Sequence, residues 1–296
     1  MLFDIPEDLQ DSIVYLNGSY VPMREAHVPV LDRGFIFGDG VYEVVPVYGR
    51  VPFRLPEHLC RLQYSLEAIR MANPHDDETW TRLVLGLIDR CPHPDQSLYL
   101  QVTRGVARRD HAFPKGARPT VFMMTGALST PSAELLANGA AAVTATDNRW
   151  LRCDIKSTAL LGNVLMRQLA VDAGAQETVM IRDGFLTEGA ASNVFVVRDG
   201  IILAPPKSNL ILPGTTYDVV LELAREGGMP FEIRPVSEAE LRAADEVWIT
   251  SATREVLAVT RLDGKPVGSG RPGPAFERMR TAFRAFRNAL PARAHA

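Results

Sequence analysis

Apolar and polar positions alternate at the start of the chain. SIVYLNGSYVP carries two short apolar runs about Asn17-Gly18, which predicts a β-hairpin. VYEVVPVYGRVPF also alternates and is rich in β-branched and aromatic residues, so it reads as strand turning at Gly49. From Pro56 to Met71 the period lengthens: Leu59, Leu62, Leu66 and Ile69 share one helical stripe, with Pro56 and Glu57 in the first turn. A second helix is predicted over about residues 77–90, then strands in SLYLQVTRG and PTVFMMTGA, joined by the polar stretch GVARRDHAFPKGARP.

GALSTPSA, residues 126–133, is small and turn-rich and reads as a linker. The second half opens on strand-like AAAVTATDN and then WLRC, with a helix to about residue 173 that stops at Gly174. ETVMIR-DG-FLTEG and NVFVVR-DG-IILA predict hairpins at Asp183-Gly184 and Asp199-Gly200. Thr215–Gly227 has helical periodicity with a threonine at the cap. EVWITSATREVLAVT and the Asp263-Gly264 turn add strand, and residues 275–290 form a final amphipathic helix. No βαβ alternation is legible. The prediction is two α+β domains: residues 1–125, a smaller N-terminal domain, and 134–296, a larger one.

Composition narrows the function more than the fold. A net charge of −3 gives no footprint for nucleic acid or an anionic membrane, and no run approaches the ~18 apolar residues of a span. Three cysteines without disulfide or metal-ligand spacing, and a start lacking a basic-then-apolar signal, predict a reduced, cytoplasmic protein with no metal site. Of the 32 basic residues only four are lysines: Lys115, Lys156, Lys207 and Lys265. Chemistry that needs an amine has four candidates.

Three of those lysines lie in Pro/Gly-rich or turn sequence and read as surface residues. Lys156 sits in the apolar setting of WLRCDIKSTALLGNVL, where a buried amine sheds its proton and can condense with an aldehyde. An ion-paired lysine at a strand end is the plain alternative. Glu188 lies in LTEGAASNVF, among small residues that let the backbone approach a ligand, and could hold a proton on a pyridine nitrogen. A surface acid beside a turn is its plain reading. For an anion, Gly214, Thr215 and Thr216 sit at a predicted helix start, Ser251 at a strand end, and Arg61 beside the first helix's apolar stripe. No GxxxxGK[ST] motif is present, and Gly38-Asp39-Gly40 is too short for a dinucleotide loop.

DRGFIFGDGVYEVVPVY, QVTRG, RDHAFP, NRWLRCDIKSTALLGNVL, LTEGAASNVF, LILPGTTYDVV and ITSATREV follow one another across nearly the whole chain. In that order they resemble the class IV (fold-type IV) pyridoxal-phosphate transaminases, most closely the bacterial branch acting on D-amino acids. The resemblance implies an α+β, two-domain fold, with a smaller sandwich-like α/β domain and a larger domain having a β-barrel-like core. It implies pyridoxal 5'-phosphate on Lys156 as a Schiff base, with Glu188 at the ring nitrogen and Leu212 beside the ring. Arg61, Thr215 and Thr216 would hold the phosphate, with Ser192, Ser251 and Ala252 around the cofactor. Tyr42, Arg109 and His111 match a trap for the substrate carboxylate, which suits the bidentate charge of arginine. The Arg/His loop is expected to serve a neighbouring subunit, hence a homodimer. The substrates implied are a D-amino acid and a 2-oxo acid such as 2-oxoglutarate.

Departures are visible as well. Ala190 and Ala191 stand where the resembling enzymes carry serines, Ala252 replaces a threonine, and Arg108 precedes Arg109. Each lost hydroxyl removes a hydrogen bond of about 1 kcal/mol, so looser cofactor retention or a more apolar pocket is expected. The alternatives are an (R)-amine transaminase, a branched-chain amino acid transaminase or a lyase of the same fold. From another class, the chain could be a non-catalytic pyridoxal-phosphate-binding protein.

Overall fold

The computed structural model describes residues 5–291, which fall into two compact units. Among the described residues, the first holds 5–129, Ile155–Leu160 and 290–291; the second holds Thr130–Asp154 and Leu161–Ala289.

In the first unit, β1 (Ile13–Leu16), β2 (Ser19–Pro22), the short α1 (Arg33–Phe37), β3 (Gly40–Tyr48) and β4 (Val51–Pro52) precede two helices. These are α2 (Leu55–Ala68) and α3 (Asp77–Arg90), followed by β5 (Gln96–Thr103) and β6 (Thr120–Ala127). The strands form one sheet in the order β2-β1-β6-β5-β3-β4. Alternation sends Val41, Val45, Val47, Leu98, Leu100 and Val102 to one face, where they pack on Leu59, Leu62 and Leu66 of α2 and Val84, Leu87 and Ile88 of α3. Ile155 joins this core. Both predicted hairpins form, and Asn17, Gly18, Gly49 and Arg50 all have positive φ, as a two-residue turn between twisted strands requires.

The second unit begins with α4 (Ala133–Asn138), β7 (Ala140–Thr146), α5 (Leu161–Asp172), β8 (Glu177–Arg182) and β9 (Phe185–Gly189). It continues with β10 (Asn193–Arg198), β11 (Ile201–Ala204), α6 (Thr215–Glu226), β12 (Phe231–Ile233) and α7 (Glu238–Arg242). It ends with β13 (Glu246–Ser251), β14 (Glu255–Leu262), β15 (Lys265–Pro266) and α8 (Pro274–Asn288). The strand order is β12-β11-β10-β13-β14-β7-β8-β9, with β15 on β14. Between β9 and β10 lie five strand spacings, about 24 Å in a flat sheet. The link from Gly189 to Asn193 can span only about 14 Å, so the sheet must curl into a half-barrel. The hydrogen bond from Gly189 N–H to Ser192 O closes that link at 2.6 Å. Val194 and Val196 face one core; Phe195, Trp248, Tyr217 and Phe276 build the other against α6 and α8.

Three expectations are corrected. The strands β7 and β8 are parallel with α5 between them, and β11 and β12 are parallel with α6 between them, so βαβ crossovers are present. The first was hidden by the irregular stretch 147–160, which separates strand from helix. Residues 151–153 are not strand but part of that stretch. The cap of α6 is Gly214, and Thr215 is its first helical residue. No helix among the described residues is long and apolar enough to cross a membrane.

Candidate active site

The amine on the first unit is held by its backbone. Tyr42 N–H donates to Lys156 O at 2.9 Å, and Lys156 N–H donates to Ser65 Oγ at 3.2 Å. Segment 155–158 thus runs beside the start of β3, where Val41 pairs with Ser157. The Lys156 side chain is half-buried, whereas Lys115, Lys207 and Lys265 are exposed. Its Nζ lies 4.1 Å from the centroid of the Tyr42 ring, a cation–π distance. Tyr99, which the sequence reading passed over, stacks on Tyr42 at 5.6 Å. Burial, with Tyr42 adding to it, pushes the Tyr99 hydroxyl up to about 12. The signal was available in SLYLQVT, whose alternation sets Tyr99 opposite Val44 on the face that carries Tyr42.

Arg61 belongs to a buried cluster on the other face of β3. Its Nε and Nη2 donate to Glu43 at 2.8 and 2.7 Å, and His58 Nδ1 is 2.7 Å from the same carboxylate. Burial alone would raise the Glu43 carboxyl, but Arg61 and His58 hold it well below the usual range. Burial depresses His58 toward the neutral form. Arg109 and His111 are exposed on the loop between β5 and β6, and both lie against Phe37 of α1, at 5.5 and 5.4 Å.

The acid on the second unit is Glu188, 5% exposed in β9. Its Oε1 accepts from Arg149 Nη1 at 2.7 Å; Oε2 accepts from Leu212 N–H at 2.9 Å and Asn193 Nδ2 at 3.3 Å. Burial raises the carboxyl to about 7, and Arg149 and the Leu212 amide offset only part of that. Arg149 is itself held by Asp147 through Nε and Nη2, both at 3.0 Å. Neither Arg149 nor Asn193 was singled out in the sequence, since spacing alone does not tell a buried arginine from the chain's many others.

Around this acid, Asn193 Nδ2 also donates to Leu212 O at 2.9 Å, and a Cβ on Gly214 would meet Asn193 Oδ1 at 2.1 Å. Thr215 and Thr216 follow, buried in the first turn of α6. Ser192 is also buried, and its hydroxyl donates to Glu177 at 2.9 Å, where Arg254 bonds as well. Ser251 and Ala252 are half-buried at the end of β13. Ala190 is buried against Met166 and Met180, while Ala191 is exposed.

The first unit thus joins Lys156 to Tyr42, and Arg109 to His111. The second joins Glu188 to Leu212 beside the start of α6. A half-buried amine, a buried basic carboxylate and a helix start with two threonines are the donor set that an aldehyde, a ring nitrogen and a phosphate require. The chemistry of pyridoxal phosphate fits it.

The family model for amino-transferase class IV matches residues 40–262. The chain belongs to that family. This aminotransferase is 44% identical to a D-alanine aminotransferase of Bacillus licheniformis over 270 residues, 91% of this chain and 95% of the relative. It is 38% identical to one from Staphylococcus aureus (strain MW2), over 92% of this chain and 97% of that protein. Among solved structures it resembles a branched-chain amino acid aminotransferase from T.th. with pyridoxamine 5'-phosphate. There the TM-score is 0.88 at 27% identity, covering 96% of each chain. A branched-chain enzyme from Escherichia coli gives 0.85 at 26%, covering 93% of this chain and 94% of that one. The class of fold expected from the sequence is therefore the one found.

Proposed function

We propose that this enzyme is a pyridoxal-phosphate-dependent D-amino acid transaminase, moving the amino group of a D-alanine-type substrate to a 2-oxo acid such as 2-oxoglutarate. The observation that carries the reading is the 44% identity to a D-alanine aminotransferase along 91% of the chain. The Arg-Asp-His segment held against Phe37 supports it, because that loop offers a fixed charge to a carboxylate.

When bound, pyridoxal phosphate supplies an aldehyde that condenses with amines and a ring that takes up the electrons of a breaking Cα–H bond. Lys156 would hold it through its amine, and Lys156 Nζ would take and return the α-proton. Glu188, made basic by burial, keeps a proton on the ring nitrogen. Arg61, Thr215 and Thr216 bind the phosphate, and Leu212 orients the ring. Ser192, Ser251 and Ala252 line the cofactor's surroundings. Arg109 and His111 bind the substrate carboxylate, with Tyr42 as a further donor.

The reading includes a homodimer. Leu161, Leu165 and Leu169 repeat every fourth residue along α5 and are 72%, 57% and 45% exposed, an apolar stripe that a second copy would cover. It also places the enzyme in the cytoplasm, in keeping with three unbridged cysteines.

A panel of D- and L-amino acids with 2-oxoglutarate tests the proposal. Turnover of D-alanine with little of L-leucine is expected; the reverse would favour the branched-chain activity of the structural neighbours.

A further inference from the structure

Three segments of the family pattern, DRGFIFGDG, QVTRG and RDHAFP, contain residues that the chemistry above leaves without a role. In the first unit they meet around Arg33 and Arg104, two arginines that share one acid. Asp39 Oδ2 accepts from Arg33 Nε at 2.7 Å and from Arg104 Nε at 2.8 Å. Arg33 is only 3% exposed, and its remaining donors turn to the loop between β5 and β6. Nη1 donates to Asp110 O and to Ala112 O (3.3 Å), and Nη2 to His111 O (3.4 Å). Arg104 donates to Ile69 O at 2.7 Å and Arg70 O at 3.3 Å, where α2 ends.

The aromatic contacts follow the same plan. Phe37 carries the Arg33 guanidinium at 4.8 Å as well as Arg109 and His111, and Arg104 lies 3.9 Å over Phe113. The base of the loop is closed at Gly105, with φ +87°, where a Cβ would meet Arg118 O at 1.8 Å. Beyond that neck, where Val106 bridges to Asp32 and Ala107 N–H donates to Leu31 O at 3.3 Å, the connection out to residue 119 contains no helix or strand to hold its exposed tip. A buried guanidinium must satisfy its N–H groups, and this one does so on three consecutive carbonyls. A lysine offers a point charge without the fork.

We propose that Arg33, oriented by Asp39, is a positioning residue for substrate selection: it fixes the backbone of Asp110–Ala112 and so sets where Arg109 and His111 meet the substrate carboxylate. The inference rests on the functional reading above, in which those two residues bind that carboxylate.

The test uses the holoenzyme and the variants Arg33→Lys, Arg109→Ala and the double variant. With Arg33→Lys, KM for D-alanine rises about tenfold or more while kcat and the affinity for pyridoxal phosphate stay within about threefold. In the Arg109→Ala background the same change adds less than about twofold, since both act through one contact. Asp39→Asn, which keeps the carbonyl bonds, shifts KM the same way by less, and serves if Arg33→Lys fails to fold. An unchanged KM, a joint fall of kcat and cofactor affinity, or effects that multiply in the double variant would overturn the inference alone. A wild type that does not transaminate D-alanine would overturn the functional reading, and the inference with it.

Discussion

Arg149 lies 2.7 Å from Glu188, yet the acid stays at about 7. Burial outweighs the ion pair, in part because Arg149 also bonds Asp147, which itself faces Arg182 at 3.0 Å. The arginine therefore sets how basic the carboxylate is. Replacing Arg149 with Met should leave Glu188 largely protonated at neutral pH and destabilise the fold by about 3 kcal/mol. Activity should fall at pH 7 and recover as pH rises. A pH–rate profile whose acidic limb stays where it is in the wild type would contradict this role.

The same acid predicts how the cofactor-free protein responds to pH. Its folded value, about 7, lies above the ordinary 4.5, so the folded state favours the protonated form. The resulting stability is full below the ordinary value and is lost as pH climbs through about 7. At ~1.4 kcal/mol per unit the ceiling is a few kcal/mol. Urea denaturation of the apoprotein across that window should show wild-type stability falling relative to Glu188→Gln. Parallel curves would refute the prediction.

Gly214 tests the approach of Asn193 to the start of α6. A methyl there meets Asn193 Oδ1 at 2.1 Å, and Asn193 is bonded to both Leu212 and Glu188. Gly214→Ala should cost about 1–3 kcal/mol by overpacking and weaken binding of pyridoxal phosphate. Unchanged cofactor affinity would separate this loop from the phosphate.

Much of this organisation was legible beforehand. Helices α2, α3 and α8 carry a clear 3.6-residue stripe, and the Asn-Gly and Asp-Gly turns mark their hairpins because few other residues tolerate positive φ at both central positions. The rarity of lysine drew attention to Lys156. Glu43 could have been read too: it falls between Val41 and Val45 on the core-facing side of β3, where an acid needs a buried partner. Arg149 could not, because its two carboxylates are contributed by Asp147, just after β7, and by Glu188 in β9. The crossover from β7 to β8 was missed because Ile155–Leu160, inside the connection, clusters with the first unit.

The α5 stripe bears on assembly. Leu165→Asp places a charge on a face that a second copy would bury, and should shift sedimentation from dimer toward monomer with loss of activity. A dimer unaffected by the change would exclude α5 from the interface.

The amine at position 156 carries the whole account, and it can be marked directly. Borohydride reduction of the holoenzyme, followed by digestion and mass spectrometry, reports which lysine holds the cofactor. The account predicts the pyridoxyl group on Lys156 alone; its appearance on Lys115, Lys207 or Lys265, or on none, would contradict it.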